Sequence, residues 1–294
     1  MPNPDATVPQ DSLAFFMPPV RAWFQATFGQ PTPPQAQGWP AIQRGEHTLI
    51  LAPTGSGKTL AAFLWGIDQL FRELTQRQAG EPDDDDADSS WLRLVYISPL
   101  KALNNDIHRN LRVPLAGIRQ TARSLGLDFP DIKVAVRSGD TPQRERRAML
   151  SEPPHILITT PESLYLLLTS PKARDMFRTV RTVIVDEIHT LAGNKRGAHL
   201  AFSLERLQHL AAQPIQRIGL SATIQPLDEV ARFLGGNEWQ TSHQPSAVSN
   251  SQSLIPGLQL TPRLVTVVNA AYEKTLDLQV ETAVGDFRQL PGDS

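Results

Sequence analysis

Residues 52 to 59 read Ala-Pro-Thr-Gly-Ser-Gly-Lys-Thr, a set of residue types suited to holding phosphate. Gly55 and Gly57 permit a tight turn that aims backbone N–H groups at one point, with Thr54 and Ser56 between and beside them. Lys58 brings a point charge for β- and γ-phosphates, and Thr59 brings a hydroxyl for Mg²⁺. The general pattern asks for Gly at the first position, where this chain has Ala52; an ordinary βα turn capped by Gly-Ser-Gly is the plainer alternative. A second set, Asp186-Glu187-Ile188-His189, closes an apolar run. Phosphoryl transfer to water needs a carboxylate on the metal and a group that orients or deprotonates the attacking water. Asp186 suits the first role and Glu187 the second; alone, they are a strand that ends in polar residues.

Three more polar stretches each precede a helical pattern: Pro99-Leu100-Lys101, Ser138-Gly139-Asp140-Thr141 and Thr160-Pro161-Glu162. A helix N-terminus offers backbone N–H groups to an anion. Singly these are helix caps, with Thr160 suited to the N-cap and Pro161 to the first helical position. Together they can track a phosphodiester backbone, contacting sugar and phosphate rather than base edges. Gln35 lies in the stretch Phe28-Gly29-Gln30-Pro31-Thr32-Pro33-Pro34-Gln35, read as a proline-stiffened loop. An amide there can pair with the N6/N7 edge of adenine.

The elements that must position these residues alternate. Thr48 to Leu51 reads as a strand, and Leu60, Phe63, Leu64, Ile67, Leu70 and Leu74 recur at helical spacing behind the phosphate loop. Leu92–Ile97, Ile132–Val136, His155–Ile158, Val180–Val185 and Ile215–Leu220 read as buried strands. Helical patterns follow, up to about Leu125, over the basic stretch with Arg144, Arg146 and Arg147, over about Ala198–Ala212, and over about Leu227–Leu234. Near-continuous apolar strands alternating with helices predict a parallel α/β sheet covered on both faces. In such sheets ligands bind outside the C-terminal ends of the strands, which is where every motif above falls.

Composition narrows the classes. Without cysteine the chain has no disulfide, thiolate zinc site, iron–sulfur cluster or cysteine nucleophile. Lys+Arg 28 against Asp+Glu 30 gives a net charge of −2, so any nucleic-acid affinity must come from local placement. No apolar run reaches the length of a membrane span, and Met1 to Ser12 has no secretion-signal pattern, so a cytoplasmic location and no membrane partner are expected. Residues 1–12 are expected to be disordered, and 79–90, with Asp83 to Asp86, to form a mobile acidic loop rather than a metal site. Residues 235–262, rich in Gly, Ser, Gln and Pro, read as a linker, and Leu276, Leu278 and Val280 as a strand beyond it.

In order, Gln35, Ala52–Thr59, Pro99–Ala102, Thr160–Glu162, Asp186–His189 and Ser221-Ala222-Thr223 resemble the first motor domain of a superfamily 2 helicase. Ala is common at the first phosphate-loop position there. The likeness narrows to the large helicase-related (Lhr) family through Phe28–Gln35, Gly38–Ile42, Gly45–Leu51 and Asp186–His189. It runs from about Phe15 to Leu234, and more loosely beyond.

The resemblance implies a RecA-like domain over 13–234 that binds ATP and Mg²⁺. It implies catalytic roles for Lys58, Asp186, Glu187 and His189, and nucleotide contacts from Gln35 and from Thr54, Gly55, Ser56, Gly57, Lys58 and Thr59. Thr59 and Asp186 would hold Mg²⁺; Pro99, Lys101, Gly139, Thr160, Pro161 and Glu162 would face nucleic acid; Ser221 and Thr223 would couple the two sites. It further implies 3′-to-5′ translocation on single-stranded DNA and unwinding of DNA or RNA:DNA duplexes, with single-stranded DNA or RNA or a duplex with a 3′ tail as partner. Residues 235–294 are expected to be a linker and the start of a second motor domain, the rest of which, with its arginines, is missing from this chain, so that the chain alone should hydrolyse little ATP. The rival readings are a motor subunit of a restriction or remodelling complex, and a non-catalytic module that holds a strand or partner without turnover.

Overall fold

The computed structural model describes residues 12–78, 91–99, 108–222, 226–241 and 258–270. The first strand, β1 (His47–Leu51), follows two helices, α1 (Pro18–Phe28) and α2 (Pro33–Gln43). Then come α3 (Lys58–Gln78), β2 (Leu94–Ile97), α4 (Val113–Ser124, entered through a π-turn at His108–Arg112), β3 (Val134–Arg137) and α5 (Gln143–Ser151). β4 (Ile156–Thr159), α6 (Pro161–Thr169), β5 (Thr182–Val185), α7 (Lys195–Leu210), β6 (Gln216–Ser221) and α8 (Leu227–Gly235) complete the alternation.

Together with a later strand, β9 (Val265–Asn269), these strands form one parallel sheet of seven, in the order β3-β4-β2-β5-β6-β1-β9. Its period of two divides the apolar side chains between two cores. Ile50, Leu94, Tyr96, Ile156, Ile184 and Ile218 face α1 to α4; Leu49, Leu51, Val95, Ile97, Leu157, Val183 and Val185 face α6 to α8. Burial of both faces is why the strands lack polar alternation in the sequence. On the first face Trp39 is fully buried and donates its indole N–H to the Ala61 carbonyl at 3.0 Å, fastening α2 to α3.

The strand β9 (Val265–Asn269) corrects the expectation for the C-terminal stretch. It pairs in parallel with β1 from His47↔Val265 to Leu51↔Asn269, so the sheet continues past residue 234. The linker expected over 235–262 contains an antiparallel pair, β7 (Asn237–Thr241) with β8 (Leu258–Pro262). The rest of that linker, the N-terminal residues 1–11, the acidic loop 79–90 and the strand expected at Leu276–Val280 lie outside the described residues.

At the N-terminal edge of the sheet two histidines extend the strand ladders. His47 Nδ1 accepts the Arg217 N–H at 3.1 Å, and His155 Nδ1 accepts the Lys133 N–H at 2.9 Å. Both roles require neutral imidazole. Burial pushes each pKa down to about 4, helped by the positive charge of Arg217 and Arg263 near His47 and of Lys133 near His155. Above pH 6.5 both states of the chain carry these rings neutral and stability is complete. As pH falls below 6.5 the unfolded chain takes up protons that the folded chain refuses, so stability is lost progressively down to about pH 4. Replacing both residues by Asn, which keeps an acceptor near the Nδ1 position, should flatten this slope; urea midpoints measured from pH 7 to 4 check it.

Candidate nucleotide site and nucleic-acid rim

The phosphate loop hangs between β1 and the first residue of α3. Gly55 and Gly57 have φ of +81° and +87°, conformations that favour glycine. A Cβ on Gly57 would also stand 2.7 Å from the Gln35 side-chain nitrogen. Gln35 is not in a loop as expected: it occupies the third position of α2, buried. Pro33 and Pro34 open that helix rather than stiffen a loop, because proline suits the first helical turn. Its Oε1 accepts the Thr32 N–H at 2.9 Å and its Nε2 donates to the Gly57 carbonyl at 3.3 Å. The amide thus braces the phosphate loop.

Across the sheet, β5 delivers Asp186 and Glu187 to the same rim. Asp186 is only 6% exposed, and its carboxylate has three donors. Thr59 Oγ1 lies at 3.5 Å from Oδ2, the Tyr96 hydroxyl donates to the same oxygen, and the Glu187 N–H reaches Oδ1 at 2.8 Å. Glu187 is the one non-glycine residue with positive φ among the described residues (φ 47°, ψ 40°). Such a conformation costs about 1–2 kcal/mol and persists where the surroundings over-determine it. Lys58, 4% exposed, sits 4.0 Å from Glu187 Oε1. His189 links this loop to the end of β6: its Nε2 is 3.3 Å from Glu187 Oε2 and its Nδ1 is 3.3 Å from Ser221 Oγ. Lys58, Thr59, Asp186, Glu187, His189 and Ser221 are thus linked by short contacts at the end of the sheet. Thr223 lies outside the described residues.

The fit of a nucleotide and its metal is legible in what remains unsatisfied. The hydroxyl of Ser56 is buried within the phosphate loop without a hydrogen-bond partner, which is costly unless a ligand completes it. Thr59 Oγ1 and Asp186 Oδ2 form a hard-oxygen pair of the kind Mg²⁺ takes.

The expected nucleic-acid residues lie on the neighbouring part of the rim, after β2, β3 and β4, except that Lys101 is outside the described residues. Their amides are less available than helix ends alone suggest. Thr160 Oγ1 already caps the Ser163 N–H at 3.3 Å. In the Ser138–Thr141 turn, the Ser138 N–H goes to Thr141 Oγ1 at 2.8 Å and the Asp140 N–H to Ser138 Oγ at 3.3 Å. Arg146 from α5 holds that turn, donating to the Thr141 and Gly139 carbonyls, each at 2.7 Å. Gly139 itself faces open space. The Glu162 carboxylate is paired with Arg196 Nε at 2.7 Å. Tyr96 and Arg196 were not singled out from sequence. The signal for the first was a lone hydroxyl in the aliphatic strand Leu-Val-Tyr-Ile; for the second there was none.

A parallel sheet with a phosphate loop, an Asp-Glu pair on the same rim and helix-bearing loops beside it defines a nucleotide-binding motor domain. The family model for the DEAD/DEAH box helicase matches residues 32–232, and the chain belongs to that family. Within it the chain is similar to the Lhr helicase/probable uracil glycosylase of Mycolicibacterium smegmatis, 49% identical over 97% of this chain and 16% of that protein. It is also 47% identical to the ATP-dependent helicase Lhr-Core protein 2 of Thermococcus barophilus, over 92% of this chain and 28% of that one. Among solved structures, Mycobacterium smegmatis helicase Lhr bound to ssDNA and AMP-PNP aligns with a TM-score of 0.73 at 48% identity, covering 97% of this chain and 31% of the other. The chain thus spans a minor part of the length of these relatives. No helix among the described residues is long and apolar enough to cross a membrane.

The Tyr96 hydroxyl is a donor to a buried charge. Tyr96→Phe should therefore lower stability by about 1.5–3 kcal/mol at pH 7, the range for hydrogen bonds to charged groups. Urea unfolding reads the change, and a loss below about 0.5 kcal/mol would mean that the other donors suffice.

Proposed function

We propose that this chain is the ATP-binding part of a nucleic-acid motor that binds Mg·ATP at Thr54–Thr59, Asp186 and Glu187 and holds a nucleic-acid strand along the loops after β2, β3 and β4. The observation that supports it most is the Lys58–Glu187 contact at 4.0 Å, beside the Thr59–Asp186 pair. The lysine that would meet phosphate and the carboxylate that would act on water stand within reach of each other. Phosphates arriving at the loop draw Lys58 to themselves, and Glu187 is then left to orient the attacking water and accept its proton. Thr59 and Asp186 would hold the magnesium ion, whose charge offsets that developing on the phosphates. His189 spans Glu187 and Ser221, so movement at either side is felt at the end of β6.

The solved relative that binds ssDNA and AMP-PNP supports strand binding as the second half of this reading. We extend it to the longer protein: translocation along single-stranded DNA or RNA and duplex separation, including from a 3′ tail, need a second motor domain that closes on the nucleotide. Such motors supply positive charge to the γ-phosphate from an arginine, worth about 10³ to 10⁵ in rate in related phosphate-loop enzymes.

The test is a titration with a fluorescent ATP analogue in the presence of Mg²⁺. Lys58→Ala should weaken binding at least about tenfold, since it removes a contact to ground-state phosphates. Glu187→Gln should leave binding intact or slightly tighter, because it removes the carboxylate charge that stands 4.0 Å from Lys58. Equal loss in both variants would overturn the assignment of roles. For the strand, binding of a labelled oligo-dT should weaken with salt, log K falling with log salt by about 0.7 per phosphate contacted. A marked preference for one short sequence in competition would argue against backbone tracking.

A further inference from the structure

The helix α7 begins eight residues after Glu187, and its first turn is fixed to the Glu187 loop without slack. The Thr190 N–H and hydroxyl both donate to the Glu187 carbonyl at 2.9 Å. Asn194 Nδ2 donates to the Thr190 carbonyl at 2.6 Å, and its Oδ1 caps α7 by accepting the Gly197 N–H at 3.0 Å. At Gly197 the helix lies so close to the Leu191 carbonyl that a Cβ would stand 2.0 Å from that oxygen. From this turn Arg196 reaches out across the rim. Its Nε pairs with Glu162 Oε1 at 2.7 Å, and its other nitrogen, Nη2, donates to the Pro99 carbonyl at 3.3 Å. One guanidinium thus joins the loops that follow β4 and β2, strands that are neighbours in the sheet.

As a stabilising contact this has little value. The Arg196 and Glu162 side chains are 49% and 54% exposed, and exposed ion pairs contribute about 0–1 kcal/mol. Its effect is geometric: a planar fork sets the spacing of two loops, which a flexible ammonium cannot do. We propose that Arg196 is a positioning residue for strand binding, a bracket that holds the Pro99 and Thr160–Glu162 loops at the spacing a nucleic-acid backbone needs and ties both to the loop carrying Glu187. The proposal rests on the strand-binding reading above. It also reassigns Glu162, whose carboxylate holds the bracket, so that the strand meets Thr160 and Pro161 of that loop.

The experiment measures oligo-dT binding by fluorescence anisotropy across a salt series, for the wild-type chain and for Arg196→Ala, Arg196→Lys, Glu162→Ala and the Arg196→Ala/Glu162→Ala double variant. Arg196→Ala should weaken binding about tenfold, with binding of a fluorescent ATP analogue and the melting temperature unchanged. Arg196→Lys, which keeps the charge but not the fork, should fall between, and it carries the test if the alanine variant folds poorly. The double variant should bind no more weakly than Arg196→Ala alone, because both residues act through one bracket. A positioning role leaves the salt dependence at its wild-type slope; a direct phosphate contact would reduce it by about 0.7. Wild-type affinity in Arg196→Ala, a reduced slope, or additive losses in the double variant would each overturn the proposal. A wild-type chain that does not bind oligo-dT even at low salt would overturn the strand-binding reading itself, and the bracket with it.

Discussion

A carboxylate withdrawn from water must be met by hydrogen-bond donors, and the site is arranged around that demand at Asp186. Left uncompensated, a buried charge costs several kcal/mol. Here three donors come from three places: the first turn of α3 through Thr59, the inner face of β2 through Tyr96, and the next residue's own amide. The third donor is local: the Glu187 N–H points back at Asp186 Oδ1. Immediately after it the backbone of Glu187 takes a left-handed conformation that a side chain normally avoids. Burial and strain thus sit side by side, at the residue proposed to act on water.

The strand order then divides the labour along the rim. The C-terminal ends of β5, β6 and β1 lead into Asp186, close on Ser221 and open into the phosphate loop, respectively, and these three strands are consecutive in the sheet. The loops after β3, β4 and β2 carry Gly139, Thr160 and Pro99, and those strands are also consecutive. The boundary between the halves falls between β2 and β5, where the Tyr96 hydroxyl of one meets the Asp186 carboxylate of the other. No distance in sequence would reveal this adjacency; it follows from the strand order, in which β2 and β5 are neighbours although β3 and β4 lie between them in the chain. The two halves are joined by short polar links, the Tyr96–Asp186 hydrogen bond among them.

How much of this was legible in the sequence depends on whether the signal was local. The phosphate loop, the Asp-Glu pair and six strands announce themselves through residue type and apolar runs, because both sheet faces are buried. Gln35 was legible as a residue of interest but not as a helical one: the prolines before it, read as loop stiffeners, are helix openers. Val265-Thr266-Val267-Val268 has the composition of a strand, yet it lies beside a Gly-, Ser- and Pro-rich stretch whose composition suggested a linker. Its pairing with β1 joins residues more than two hundred positions apart, which no local pattern encodes. Arg196 and Arg146 illustrate the same limit. Each is an arginine near a helix start, indistinguishable in sequence from solvated neighbours such as Arg144 and Arg147, and each is identified by the carbonyls it reaches.

The Lys58–Glu187 contact brings these strands of argument together. Lys58 is only 4% exposed, and a buried amino group needs a polar partner; Glu187, on the proposed reading, needs to be held until there is a phosphate to attack. Pairing them meets both needs at once, and the separation of 4.0 Å, longer than a good hydrogen bond, keeps the pair easy to break. The His189 ring on the other side of Glu187 holds the second carboxylate oxygen at 3.3 Å, so the carboxylate retains an orientation when the lysine leaves. On the proposed reading a single lysine changes partner when phosphate binds, while Asp186, Thr59 and the turn at Glu187 stay where burial and hydrogen bonding have put them.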